Sequence, residues 1–209
     1  IMIEKNLHKG GKIIYIENFI SQEDSVNLID HLLSEINWIQ DKYTMYGKEV
    51  LTPRKLSSMM DNNFKAQMVG KVWNENTAWV KAGKEWTDPV EKIRKRIEDQ
   101  IKQKISYAQL NHYKTCNDYI GWHTDSETAD GDLIASISLG ATRRFLLREK
   151  HKKNGPEDYE FTLKNGSLFI FDSDAAKKYY KHCLPKMRKK DNYTDQSGNG
   201  RINITFRIK

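Results

Sequence analysis

Arg201-Ile202-Asn203-Ile204-Thr205-Phe206-Arg207-Ile208 alternates polar and apolar residues without a break. Successive side chains of a β-strand point to opposite faces. Ile202, Ile204, Phe206 and Ile208 therefore face one way, and Arg201, Asn203, Thr205 and Arg207 the other. The apolar set belongs to a core. The polar set has two readings. It is either a solvated outer face or a concentrated anion site, because guanidinium groups bind carboxylates in bidentate fashion and stay charged when buried. Outward from this segment, residues 105–113, 117–125, 132–140, 143–149, 158–163, 167–172, 178–184 and 200–208 are short, β-rich and separated by turn residues. About eight such strands predict a β-sandwich or jelly roll.

Further upstream the period changes. Asp88-Pro89 predicts a helix start, with Asp88 as N-cap and proline at the first helical position. Val90, Ile93, Ile97 and Ile101 then form a stripe running to residue 104. Ser21, with Asp24 three residues on, opens a second helix, and Val26, Ile29, Leu32, Leu33 and Ile36 recur on one face of it. Residues 12–20 read as a strand. Residues 40–87, with Pro53, Gly70, Gly83 and many Lys, Asn and aromatic residues, read as hairpins and long loops rather than a core layer. Residues 150–157 and 188–200 are polar loops. The expected class is α+β, two helices packed on an all-β half.

The 209 residues suit one domain. No apolar run approaches the roughly 20 residues needed to cross a bilayer, and Ile1 to Gly11 lacks the apolar stretch of a signal peptide. No membrane association is expected. Two cysteines, Cys116 and Cys183, cannot make a disulfide framework and favour a reducing, intracellular setting, nuclear or cytoplasmic. The net charge of +7 suits a polyanion such as nucleic acid without demanding one. A monomer is expected.

Ile120-Gly121-Trp122-His123-Thr124-Asp125 places a histidine and a carboxylate two residues apart, on one face if extended. His182, in the expected strand Tyr179 to Leu184, is the best third ligand. Two histidines and a carboxylate form the facial triad of non-haem iron oxygenases, leaving the opposite positions open for substrate and O₂. Zinc is chemically possible on the same set. An H-x-D pair by itself is more often two surface residues, and His182 beside Lys181 is by itself an ordinary solvated side chain. In Leu110-Asn111-His112-Tyr113, Asn111 and Tyr113 share a face and both can hydrogen-bond an oxygen, although a strand tyrosine is more often core.

Asn111-x-Tyr113, His123-x-Asp125, the segment Ile134 to Arg143 (IASISLGATR), His182 and Arg201-x-Asn203-x-Thr205-Phe206-Arg207 occur in this order, and together they resemble the AlkB family of nucleic-acid dealkylases, most of all its DNA-repair members. The resemblance covers residues 50–209. It implies a double-stranded β-helix (jelly roll) over 105–209, with helices and a nucleotide-recognition lid over 1–104, the two making one structural unit. It implies Fe(II) at His123, Asp125 and His182, and 2-oxoglutarate held by Asn111, Tyr113, Arg201, Asn203, Thr205 and Arg207. The implied reaction is oxidative demethylation of bases of the 1-methyladenine and 3-methylcytosine type in DNA or RNA. It consumes O₂ and 2-oxoglutarate and releases succinate, CO₂ and formaldehyde.

The same resemblance implies Glu127 at the exocyclic amino group of the base, with Ser126 as a second candidate. It places Arg54, in Pro53-Arg54-Lys55, at the start of the lid. Where relatives carry Tyr-Gly-Asp this chain has Met59-Met60-Asp61, so Met59 stands in for a base-contacting tyrosine. Trp73, Trp79 and Trp86 are further stacking candidates. Two basic segments, Arg143, Arg144, Arg148, Lys150, Lys152 and Lys153, then Lys177, Lys178, Lys181, Lys186, Arg188, Lys189 and Lys190, are either solvated faces or tracks for a phosphate backbone. A same-fold oxygenase acting on protein or lipid is the alternative enzyme. A nucleic-acid-binding module with a structural metal is the non-catalytic one.

Overall fold

The alternating segment at the C-terminus becomes a central strand of a seven-stranded antiparallel sheet in the computed structural model, which describes residues 1–74, 76–188, 191, 195 and 198–208. The sheet order is β1 (Met2–Asn6), β2 (Lys12–Ile16), β11 (Ser167–Asp172), β8 (Leu133–Gly140), β13 (Arg201–Arg207), β6 (Tyr107–Tyr113) and β5 (Lys55–Met60). A second sheet has the order β10 (Tyr159–Leu163), β9 (Arg143–Glu149), β12 (Tyr180–Leu184) and β7 (Ile120–His123). Strands β3 (Lys42–Met45) and β4 (Lys48–Leu51) form a separate hairpin.

Both faces of the large sheet are covered. On one side lie α1 (Gln22–Glu35) and α4 (Asp88–Ile101), whose Leu28, Ile29, Leu32, Val90, Ile93 and Ile97 join Ile202, Ile204 and Phe206 in one apolar cluster. Each such side chain, fully buried, contributes about 1.5–3 kcal/mol. On the other side Ile13, Ile134, Phe169 and Phe171 meet Leu147, Leu163 and Tyr180 of the small sheet. The polar face of β13 therefore lies inside, between the sheets, and not against bulk solvent.

The helix starts differ from expectation only in detail. Ser21 caps α1: its Oγ accepts from the Asp24 N–H at 3.0 Å and donates to Asp24 Oδ2 at 2.8 Å. The buried face of that helix is Ser25, Leu28, Ile29 and Leu32, and Val26 turns outward at 44% exposure. The N-cap of α4 is Thr87, one residue before the expected Asp88, so Asp88 and Pro89 fill the first turn.

Residues 40–87 depart more. They hold α2 (Asn62–Met68), α3 (Ala78–Lys81) and β5, whose Leu56 to Met60 are all buried. β5 is a core strand and not a loop. Its polar residues are satisfied internally, with Ser58 Oγ donating to the Trp79 carbonyl at 2.8 Å. Strands β1, β2 and β5 also extend the same sheet as the C-terminal strands, so no layer boundary falls at residue 104. Among the described residues, no helix is long and apolar enough to cross a membrane. Both cysteines are free, Cys116 exposed and Cys183 buried.

Candidate active site

β7 ends on His123, and His182 on β12 is its direct cross-strand partner. Asp125 lies just past the strand end. Its backbone N–H donates to the Ala176 carbonyl at 3.0 Å. Ala176 belongs to a single π-helical turn, Asp174–Lys178, that leads into β12. One short turn thus braces both halves of the constellation, a use for which π-turns are known. Nothing in the residue pattern marked it.

One ligand atom from each of His123, Asp125 and His182 lies within 4.8 Å of the others. His123 Nε2 is 3.9 Å from Asp125 Oδ1, and His182 Nε2 is 3.4 Å from Asp125 Oδ2. His123 Nδ1 stands 2.8 Å from the Gly121 carbonyl, which can only accept. The ring proton therefore sits on Nδ1, and the Nε2 lone pair faces the gap between the three residues. Burial, reinforced by His182, pushes His123 down to about 4, so it is neutral at pH 7. Burial alone would raise Asp125, but His182 and Arg207 outweigh it and hold the carboxyl well below the usual range. His182 is positioned by packing, its ring 5.3 Å from Phe145 and 5.4 Å from Phe171. A neutral His123 imidazole, the His182 ring beside it and an ionised Asp125 carboxylate on one side of an open space suit a divalent cation.

The space is a cavity of about 240 Å³ lined by both sheets. β13 and β6 form its floor, with Arg201 opposite Tyr113, Asn203 opposite Asn111, Thr205 opposite Gln109 and Arg207 opposite Tyr107. Arg201 is 2% exposed. Its Nη2 donates to Ser138 Oγ at 2.9 Å, and the guanidinium lies 5.4 Å from the Tyr113 ring centre. Among the described residues no carboxylate pairs with it. Burial pushes it down to about 10, still a cation at neutral pH. A buried cation without a counter-ion is destabilising until an anion arrives, and a small diacid fits that need. Asn203 Nδ2 donates to Ser136 Oγ at 2.6 Å, and Thr205 Oγ1 donates to Asn203 Oδ1 at 2.8 Å.

Arg207 points elsewhere. Its guanidinium bridges Asp125 Oδ1 at 3.0 Å and Glu127 Oε1 at 2.6 Å. Glu127 and Arg54 both line the cavity, and Arg54 Nε donates to Asn111 Oδ1 at 2.8 Å. The other two substrate candidates are not brought there. Ser126 is exposed and outside the lining, and Met59, 0% exposed, packs in the apolar cluster with Ala108 and Leu110. Trp73 and Trp79 pack on Tyr107, and Trp86 stacks on Phe206.

Gln109, Thr124 and Ser136 line the cavity but were not singled out in the sequence. Gln109 had a signal, since it shares the strand face of Asn111 and Tyr113. Tyr46, at the tip of the β3–β4 hairpin, is 96% exposed; it and Gly47 both adopt positive φ, as a tight hairpin turn requires.

Much of the basic charge braces the fold. Arg143, 0% exposed, donates to the carbonyls of Asp118 and Pro185, and Arg144 pairs with Asp191 and Glu160. Lys152 pairs with Asp158, Lys178 with Asp174 and Arg188 with Asp191. Lys189 and Lys190 lie outside the described residues.

Residues 12–207 match a sequence profile described as the 2OG-Fe(II) oxygenase superfamily. The chain is similar to "DNA oxidative demethylase ALKBH2" of Arabidopsis thaliana, 26% identical over 226 residues, covering 97% of this chain and 68% of that protein. It is also similar to "DNA oxidative demethylase ALKBH2" of Bos taurus, 31% identical over 170 residues, covering 78% of this chain and 55% of that protein. The chain thus spans about half to two thirds of these relatives. Among solved structures, "The structure of OsALKBH1" superposes with a TM-score of 0.67 at 17% identity, covering 99% of this chain and 100% of that one, and shows the same jelly-roll fold.

Proposed function

The chain belongs to the 2OG-Fe(II) oxygenase superfamily and, within it, to the AlkB family; on that premise we propose that it oxidatively removes methyl groups from base nitrogens in DNA or RNA. His123, Asp125 and His182 hold the iron. Arg201 and Tyr113, with Asn111, Asn203 and Thr205, hold 2-oxoglutarate. Bound there, iron(II) and 2-oxoglutarate supply the oxidation: one O₂ converts 2-oxoglutarate to succinate and CO₂ and hydroxylates the methyl carbon, and the hydroxymethyl group then leaves as formaldehyde.

The protein's own part is placement. Arg207 pins the Asp125 and Glu127 carboxylates side by side, with Asp125 ionised toward the metal and Glu127 in the cavity wall as the acceptor for an exocyclic amino group. The aromatic wall around Phe145 and Phe171 excludes water from one side of the site. A methylated base has lost normal pairing and so costs less to extrude into such a cavity. Tyr46 offers an exposed ring for stacking on a neighbouring base. The enzyme acts inside the cell, as a monomer.

A single cavity that combines two histidines and a carboxylate with a buried, acid-free guanidinium supports this proposal most directly. Incubation with Fe(II), 2-oxoglutarate and methylated DNA and RNA oligonucleotides, followed by mass spectrometry, tests it. Loss of the methyl group with matching formaldehyde is expected. Succinate formation with no demethylated product on any oligonucleotide would refute the choice of substrate.

A further inference from the structure

β6 presents Tyr107, Gln109, Asn111 and Tyr113 to the interior between the sheets, and three of the four are engaged. Asn111 accepts from Arg54 and donates to Asn203, Tyr113 lies against Arg201, and Tyr107 packs under Phe64, Trp73 and Trp79. Thr205, directly opposite Gln109, commits its hydroxyl to Asn203. Gln109 lines the cavity half-buried, and its amide makes no hydrogen bond to any described residue. An amide carries two N–H donors and a carbonyl acceptor. Covered by a ligand without matching groups, it would be left unpaired, which is destabilising.

Position selects the ligand. Along β6 Gln109 stands two residues from Tyr107, about 7 Å, and four from Tyr113, about 14 Å at the usual strand rise. It is therefore nearer to the end of the cavity where Arg207, Asp125 and Glu127 meet than to Arg201, and it borders the cosubstrate side through Thr205, whose hydroxyl is already committed to Asn203. The Glu127 carboxylate accepts, which suits an amino group. A donor is what it cannot supply. The methylated nitrogen of 3-methylcytosine is flanked by an amino group on one side and a carbonyl oxygen on the other. In 1-methyladenine the second neighbour is a C–H. We infer that Gln109 is a specificity-determining residue that donates to this carbonyl, so that the site favours methylated pyrimidines bearing it over 1-methyladenine. The inference rests on the base-demethylase function proposed above.

The test uses the Fe(II)-loaded full chain and its Gln109→Leu variant, with Gln109→Met as a second variant of similar length. Values of kcat/KM are measured on matched oligonucleotides carrying 3-methylcytosine or 1-methyladenine, and the KM for 2-oxoglutarate is read from succinate release. In both variants kcat/KM on 3-methylcytosine is expected to fall about tenfold, the scale of one lost hydrogen bond with its partner left unpaired. Activity on 1-methyladenine and the KM for 2-oxoglutarate should stay within about twofold. Equal losses on the two lesions overturn the inference. So does a raised KM for 2-oxoglutarate, which would assign Gln109 to the cosubstrate. A wild-type protein that makes succinate yet demethylates neither lesion overturns the proposed function itself, whatever the variants do.

Discussion

Replacing Arg201 with methionine separates a ligand-binding charge from a structural one. In wild type the guanidinium is 2% exposed, touches Ser138 Oγ and the Tyr113 ring, and has no carboxylate among the described residues. If 2-oxoglutarate supplies the missing anion, it gains two charge-assisted hydrogen bonds of about 1.5–3 kcal/mol each. Their loss in Arg201→Met should raise the KM for 2-oxoglutarate by about two to four orders of magnitude. Thermal melting under anaerobic Fe(II) reads the same interaction without turnover. Cosubstrate at about 100 times its Kd adds about 2.7 kcal/mol to wild type. For a chain of this size that is an upward shift of roughly 5–11 °C. The variant at the same concentration should shift by no more than about 2 °C. Without cosubstrate it should melt no lower than wild type, because an unneutralised buried cation has been exchanged for an apolar chain of similar length. A variant that keeps the full shift, or an unchanged KM, would show that the polar face of β13 is not an anion site.

Two further outcomes follow from where the substrate candidates lie. Met59→Ala should cost about 2–5 kcal/mol of stability, as for a core methionine, and leave discrimination among methylated bases intact; altered discrimination at an unchanged melting temperature would put Met59 back in the base pocket. Glu127→Ala should blur discrimination among methylated bases more than it slows succinate formation without substrate, and an equal loss of both would remove its contact with the base.

The C-terminal strands were legible because their period of two and the turn residues between them survive in the sequence: β9 and β11 begin and end at the expected residues, and the other strands lie within one to three of them. β5 was not. After the exposed Lys55, Leu56-Ser57-Ser58-Met59-Met60 is buried on both faces, so no alternation remains to mark it, and its two serines are satisfied by carbonyls of a neighbouring segment that no local pattern announces. The polar face of β13 was readable as polar but not as interior. A solvated sheet face and the lining of a polar cavity have the same residue pattern, and only the packing of the second sheet distinguishes them. The two histidines and the aspartate were found by spacing and chain order. What brings them together was invisible: the His123–His182 strand pairing and the π-turn that receives the Asp125 amide. Val26 was placed on the buried face of its helix because it is apolar, whereas the small hydroxyl of Ser25 occupies that position.

Metal binding tests the central claim most directly. Titration of the metal-free chain with Mn(II) in place of Fe(II), followed by electron paramagnetic resonance, counts bound ions without any turnover. One ion per wild-type chain is expected, with affinity lost in Asp125→Ala and in His182→Ala while both variants remain folded by circular dichroism. Unchanged binding in the folded His182→Ala variant would contradict a metal centre built from these three side chains.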